Sequence, residues 1–137
     1  MKLEQLIGFI LTRGEQIEEE AKQQSALRDL TYRQLYCLTC IAELKNPTPS
    51  LLAKELSITK PSTTALVEKL VKKELVKKVP SNKDRRVAYL HLTVEGRKLI
   101  RLNHSVHSEF ATQFTKNLSE SEKDILAYLL SKAVDSW

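Results

Sequence analysis

Apolar residues recur at helical spacing along most of this chain, and the places where the rhythm fails mark its joints. Leu3, Leu6, Ile7, Ile10 and Leu11, continued by Ile17 and Ala21, form one stripe. They predict a helix from Leu3 to Gln23, with the acidic run Glu18-Glu19-Glu20 beside it. Thr31 suits the N-cap of a second helix over 32–44 that is dense in core residues. Asn46-Pro47-Thr48-Pro49 ends it, because neither proline can continue the hydrogen-bonded ladder. A short helix is predicted over 51–56, with Leu52 and Leu56 on one face and the small Ala53 beside them, where another helix can cross closely. After the turn Ser57-Ile58-Thr59, with Ile58 as an apolar plug and Thr59 as N-cap, Lys60-Pro61 opens a further helix. Proline is favoured in that first turn because its missing N–H has no intrahelical partner there. The apolar face of this helix is Leu66, Val67 and Leu70 with Val71 alongside; its opposite face carries Ser62, Thr64, Ala65, Glu68 and Lys69.

The period then changes. Residues 76–79 and 87–92 have strand-like, partly alternating composition, and Pro80-Ser81-Asn82-Lys83-Asp84-Arg85-Arg86 lies between them. That loop is longer than a tight hairpin requires and carries three cations at its tip. Helical spacing resumes after Thr93, a good N-cap with Glu95 in the first turn, and Leu99, Leu102, Val106, Phe110 and Phe114 keep an apolar seam to about Lys116. Ser119 and Glu122 form a capping box for a last helix over 120–135, with Ile125, Leu126, Leu129, Leu130 and Val134 apolar. Helix, tight turn, helix, then a basic loop between two strands is the order of parts in a winged helix-turn-helix. The expected fold class is therefore mainly α with a small β-wing.

Charge changes the picture once it is divided along the chain. The 137 residues carry a net charge of +5. Between Lys54 and Arg101 there are thirteen Lys and Arg against five acids, a net +8, which leaves −3 on the remainder. The basic excess is confined to the helix-turn-helix and wing, the electrostatic footprint of nucleic-acid binding. Small hydroxyl and methyl groups at the start of an exposed helix suit base edges in a major groove, and arginine suits a narrow, electronegative minor groove. For the helix alone an ordinary solvated face is an equal reading; the cationic loop beside it favours the nucleic-acid one. A basic membrane-surface patch is disfavoured, because the positive stretch lacks a continuous amphipathic helix with bulky aromatics. No apolar run approaches the roughly 20 residues needed to cross a bilayer. The opening segment lacks a small-residue cleavage site, so a cytoplasmic protein without membrane partners is expected.

Residues 51–102 resemble the DNA-binding core of the MarR family of bacterial transcription regulators. The likeness rests on Asp84-Arg85-Arg86 in the loop, followed by Leu92-Thr93 and Gly96. It implies a double-stranded DNA-binding regulator whose recognition helix reads through Lys60, Ser62, Thr64, Ala65 and Lys69. It also implies a wing formed by Lys83, Asp84, Arg85 and Arg86, with Arg86 at its tip in the minor groove and Asp84 bracing the wing. Lys60, Lys69, Lys72 and Lys73 would supply phosphate contacts or field. Two positions depart from the family pattern. Glu74 stands where glycine often ends the recognition helix, so a different or strained ending is expected. Thr63 stands where an apolar residue is usual. Within the family, the wing and the helix after it look closest to regulators of fatty-acid synthesis. The family also implies a small-molecule effector in a crevice between the dimer helices and the reader, acting through a difference in affinity for two reader spacings.

The terminal seams are more apolar than one small reader needs to bury. They suggest a single domain over 1–137 in which 1–30 and 103–137 are dimerisation helices and 31–102 is the winged helix-turn-helix core. A two-fold homodimer would set its readers about one DNA turn apart, roughly 34–36 Å, and so would read a pseudo-palindrome as a repressor; the alternative is a compact monomer. Cys37 and Cys40 form a lone C-x-x-C inside an apolar helix pattern and read as buried thiols in preference to a zinc half-site or redox pair. His104 and His107, near Glu109, have a spacing that can hold zinc but lack a full ligand set, and no metal or cofactor is expected. The three glycines, Gly8, Gly14 and Gly96, form no phosphate-cradling loop, and no catalytic motif is present, so no enzyme is expected. The rivals are a winged-helix protein-interaction module without DNA binding and a metal- or acyl-ligand-dependent sensor.

Overall fold

Local capping chemistry sets most of the helix boundaries in the computed structural model, which describes residues 1–135 and 137. The first helix, α1, spans Leu3–Gln23, and a short 3-10 turn over Ala26–Asp29 follows, capped by Ser25, whose hydroxyl accepts the Leu27 N–H at 3.2 Å. In α2, Tyr32–Glu43, Thr31 and Gln34 exchange side-chain and backbone hydrogen bonds as a capping box. Helix α3 spans Pro49–Leu56 and so begins two residues before the expected start. Pro47-Thr48-Pro49 ends one helix and also opens the next, with Thr48 as N-cap and Pro49 in the first helical position. Helix α4 is Lys60–Lys72, capped by Thr59. Strands β1, Val76–Pro80, and β2, Ala88–Leu92, form an antiparallel ribbon in which Val76 faces Leu92 and Pro80 faces Ala88. Val87 belongs to the turn and not to the strand, because its N–H is drawn to the Asp84 carbonyl at 3.0 Å. Helix α5 is Val94–Thr115 and α6 is Glu120–Val134, the latter opened by the Ser119–Glu122 box.

The core lies where α2, α3, α4, the ribbon and the start of α5 converge. Leu38, Ile41, Leu52, Val67, Leu70, Val76 and Leu90 are all fully buried there. Each such side chain contributes roughly 1.5–3 kcal/mol relative to exposure, so this cluster outweighs any single polar contact in the molecule. Thr63 is buried with them, and its hydroxyl is satisfied by donating to the Thr59 carbonyl at 3.0 Å. The threonine at this usually apolar position therefore leaves no unpaired polar group. The ribbon is attached to the core by Leu90, whose N–H donates to the Pro47 carbonyl at 2.8 Å.

The end of α4 is held in a left-handed turn in spite of its sequence. Glu74 has φ 61°, its N–H donates to the Val71 carbonyl at 2.9 Å, and the Leu75 N–H reaches the Leu70 carbonyl at 3.0 Å. The ending is that of a glycine-capped helix, made by a residue that resists it. From there the Leu75 carbonyl accepts the Thr93 N–H at 3.0 Å and the Glu74 carbonyl accepts the Thr93 hydroxyl at 2.7 Å. Gly96 sits directly against this junction, where an added Cβ would collide with the Leu75 carbonyl oxygen.

Outside the core, α1 and α6 are poorly covered. Ile17 alone is buried in α1, while Leu3, Phe9 and Leu11 are exposed; α6 buries none of its residues, and Ile125, Leu129, Leu130 and Val134 face solvent. The expected terminal segment 103–137 includes Ser136, which lies outside the described residues.

Two substitutions separate the forces at the α4 junction. Gly96→Ala should lower the unfolding free energy by about 1–3 kcal/mol through overpacking. Glu74→Gly should raise it by up to about 1 kcal/mol by removing the left-handed strain. Urea denaturation of both variants beside the parent chain reads the two signs.

Candidate nucleic-acid interface

Helix α4 sorts its residues into two faces. Thr63, Leu66, Val67 and Leu70 are buried, and Pro61, Ala65, Glu68 and Lys72 lie opposite them in solvent, flanked by Ser62, Thr64 and Lys69. The first turn is internally bonded. The Thr59 hydroxyl caps the Ser62 N–H and donates to the Ser62 hydroxyl at 2.9 Å, and the Thr64 hydroxyl donates back to the Lys60 carbonyl at 3.0 Å. The Thr64 hydroxyl proton is therefore taken within the helix, and its oxygen keeps acceptor capacity on the exposed face it shares with Ala65. Lys60, Lys69 and Lys72 are exposed and have no ion-pair partner among the described residues. Lys73 differs: its ammonium donates to the Asp29 backbone carbonyl at 2.9 Å.

The wing turn is built on two short side chains. The Ser81 hydroxyl accepts the N–H groups of Lys83 and Asp84 at 3.2 and 3.4 Å, which tightens the start of the loop. Asp84 then grips Arg86 twice over: one carboxylate oxygen accepts the Arg86 backbone N–H at 3.0 Å and its Nε–H at 3.1 Å, and the other accepts Nη2–H at 3.2 Å. The Arg86 side chain is 91% exposed, so the pair adds little to stability; its effect is to fix where the guanidinium projects while leaving other N–H donors free. The same guanidinium holds the Asp84 carboxyl below its ordinary value. Lys83 and Arg85 are exposed beside it.

A crevice of about 240 Å³ lies between α1, the 3-10 turn, α2 and α5. Leu27, Leu30, Leu35 and Val106 line it with Tyr32 and Tyr36; Lys22 and Glu18 bring charge to it, and the His107 imidazole lies beside them. His107 and Glu18 stand 3.7 Å apart and bridge α5 to α1. The residue-level reading of the sequence missed this lining. The available signal was the pair Tyr32 and Tyr36, one helical turn apart on α2, away from the buried line of Cys37, Leu38 and Ile41.

Known proteins share this architecture and sequence. A model of the MarR family matches residues 30–88. An uncharacterised HTH-type transcriptional regulator, YvnA of Bacillus subtilis, is 33% identical over 101 residues, and the multiple antibiotic resistance protein MarR of Escherichia coli is 32% identical over 99. The structure of Streptococcus pneumoniae FabT in complex with DNA is similar at a TM-score of 0.79 and 27% identity, covering 96% of this chain and 92% of that one. The chain is similar to the MarR family over its winged helix-turn-helix core. The two sequence matches each take in 72% of this chain but 63% and 65% of those relatives, under two thirds of their length.

The two cysteines are core residues. Cys37 and Cys40 are 0% and 2% exposed. Burial, helped by the neighbouring Cys40, pushes the Cys37 thiol up to about 12; burial also raises Cys40, whose sulfur is hydrogen-bonded with the Tyr36 hydroxyl. Both thiols are thus held in the poorly reactive protonated form, as expected of buried cysteines. His104 is exposed, and among the described residues no three His, Cys, Asp or Glu side chains converge on a common point.

Two measurements follow from this geometry. Because the folded-state value of Asp84 is depressed, the brace is complete above the ordinary carboxylate value of about 3.8 and is lost as the pH falls through the depressed one. Carboxyl-detected NMR should place the Asp84 midpoint below 3.8, and Arg86→Ala should move it up toward that value, the backbone N–H of residue 86 still holding part of the shift. Native protein at pH 8 should react with an aromatic disulfide reagent at neither cysteine, and both should react at once in denaturant.

Proposed function

We propose that this chain is a sequence-specific, double-stranded DNA-binding transcription regulator. It acts as a cytoplasmic homodimer that represses by occupying a pseudo-palindromic operator. One observation carries the reading: an exposed α4 face with uncommitted lysines is followed on the same chain by a wing whose Arg86 is oriented outward by Asp84. Ser62, Thr64 and Ala65 meet base edges in the major groove, Lys60, Lys69 and Lys72 meet phosphates, and the wing residues Lys83, Asp84, Arg85 and Arg86 place Arg86 in the adjacent minor groove. No catalytic step is assigned.

The exposed apolar lines of α1 and α6 support a dimer, since faces of this kind are buried in two-fold assemblies. The two recognition helices then stand about 34–36 Å apart, one turn of DNA. The crevice between α1, α2 and α5 is the place for a small effector, since it touches both the dimer helices and the reader. Its occupant changes DNA affinity only by the difference in its affinity for the two reader spacings.

Fluorescence anisotropy on genomic upstream duplexes, titrated with salt, tests the reading. Tight binding with a log–log salt slope of about 0.9 per phosphate contact is expected. Arg86→Ala should weaken it by about tenfold or more, which is 1.4 kcal/mol. Weak binding indifferent to Arg86→Ala would instead indicate a protein-interaction module. Light scattering should give a dimer for the parent chain, and Ile125→Glu with Leu129→Glu should yield a folded monomer with reduced DNA affinity.

A further inference from the structure

Lys73 stands apart from the other cations of the recognition helix. The buried positions of α4 and the exposed line through Pro61, Ala65 and Lys72 define the helix's inner and outer sides, and Lys73 leaves on the flank that adjoins the buried face. Its ammonium is spent on a target 44 positions away in sequence, the backbone carbonyl of Asp29 at 2.9 Å. That carbonyl belongs to the last residue of the 3-10 turn, Ala26–Asp29. Leu27 of the turn and Leu30 just after it form part of the crevice wall. Among the described residues this is the one side-chain hydrogen bond joining α4 to that wall.

We propose that Lys73 is a positioning residue. It is a strut that ties the C-terminal end of the recognition helix to the crevice wall, and it is not a phosphate contact. The assignment rests on the DNA-binding reading above. The end of α4 is a poor place for independent motion: Glu74 is already held left-handed there, and the Glu74 and Leu75 carbonyls are taken up by Thr93. A displacement of the 3-10 turn therefore reaches the recognition helix through Lys73, and DNA engagement reaches the crevice wall by the same route, since coupling between two sites is reciprocal. A lysine held in this way does not swing out to the DNA backbone, whereas Lys72, next to it on the outer side, is free to do so.

The test uses the full-length protein with Lys73→Met, Lys73→Arg and, as a comparator, Lys72→Met. Affinity for a labelled duplex of mixed sequence is measured between about 50 and 200 mM salt. Hydrogen exchange of the peptide covering Ala26–Asp29 is followed with and without that duplex. Lys72→Met should lower the salt slope by about 0.9, the loss of one phosphate contact, and Lys73→Met should leave the slope at the parent value. DNA should slow exchange in the 3-10 turn of the parent chain, of Lys72→Met and of Lys73→Arg, which keeps a donor, and should have no effect there in Lys73→Met. A slope lowered in Lys73→Met as in Lys72→Met would make Lys73 a phosphate contact and overturn the proposal alone. So would protection that persists in Lys73→Met, or protection absent from the parent complex. If Lys73→Met does not fold, Lys73→Gln, which removes the charge and keeps a shorter polar side chain, decides by the same slope and protection. Failure of the parent chain to bind any duplex at low salt would remove the DNA-binding reading, and this assignment with it.

Discussion

The Leu75 carbonyl is the point on which the reader turns. It accepts the Thr93 N–H, and the first turn of α5 passes so close that only glycine fits at position 96. Three elements meet at that oxygen: the end of the recognition helix, the root of the wing and the start of the long helix toward the chain's C-terminal part. Their relative directions are therefore set by one close contact and two hydrogen bonds to Thr93. The wing accordingly takes its heading from α4 without a large interface of its own.

The strain at Glu74 belongs to the same arrangement. A non-glycine residue in the left-handed region persists only when its surroundings over-determine it. Here two reverse hydrogen bonds, the Thr93 hydroxyl and the burial of Leu75 and Val76 together do so. The fold tolerates the wrong residue because the right geometry is imposed from several sides.

Much of the fold was legible in the sequence because helix boundaries in this chain are local events. Thr31, Thr59, Thr93 and Ser119 each cap the helix that follows, through hydrogen bonds spanning three residues. The Asp84–Arg86 brace is equally local, spanning two residues; the family resemblance implies Asp84 as a brace of the wing, and the structure gives Arg86 as its partner. What escaped was non-local. The 3-10 turn at Ala26–Asp29 is too short to show a period and owes its place to burial of Leu27 and Leu30. The earlier start of α3 is hidden because Pro49 closes the pattern of α2 and also opens α3, and sequence spacing shows only the first of these. Lys73 looked like one more surface cation, since nothing near it in sequence names Asp29 as its partner. At Glu74 a different or strained ending is expected from the sequence, and tertiary contacts decide for the strained, left-handed one.

The ribbon itself has a consequence for how such molecules behave when crowded. A two-stranded sheet leaves one flank of β1 unpaired, and unpaired strand edges invite a neighbouring chain to add on and aggregate. Here β1 reads Val76-Lys77-Lys78-Val79-Pro80, and both lysines are exposed. Two like charges on facing ribbons repel, and Pro80 has no N–H to offer a visiting strand. The wing can thus protrude far enough to be useful without becoming a template for its own kind.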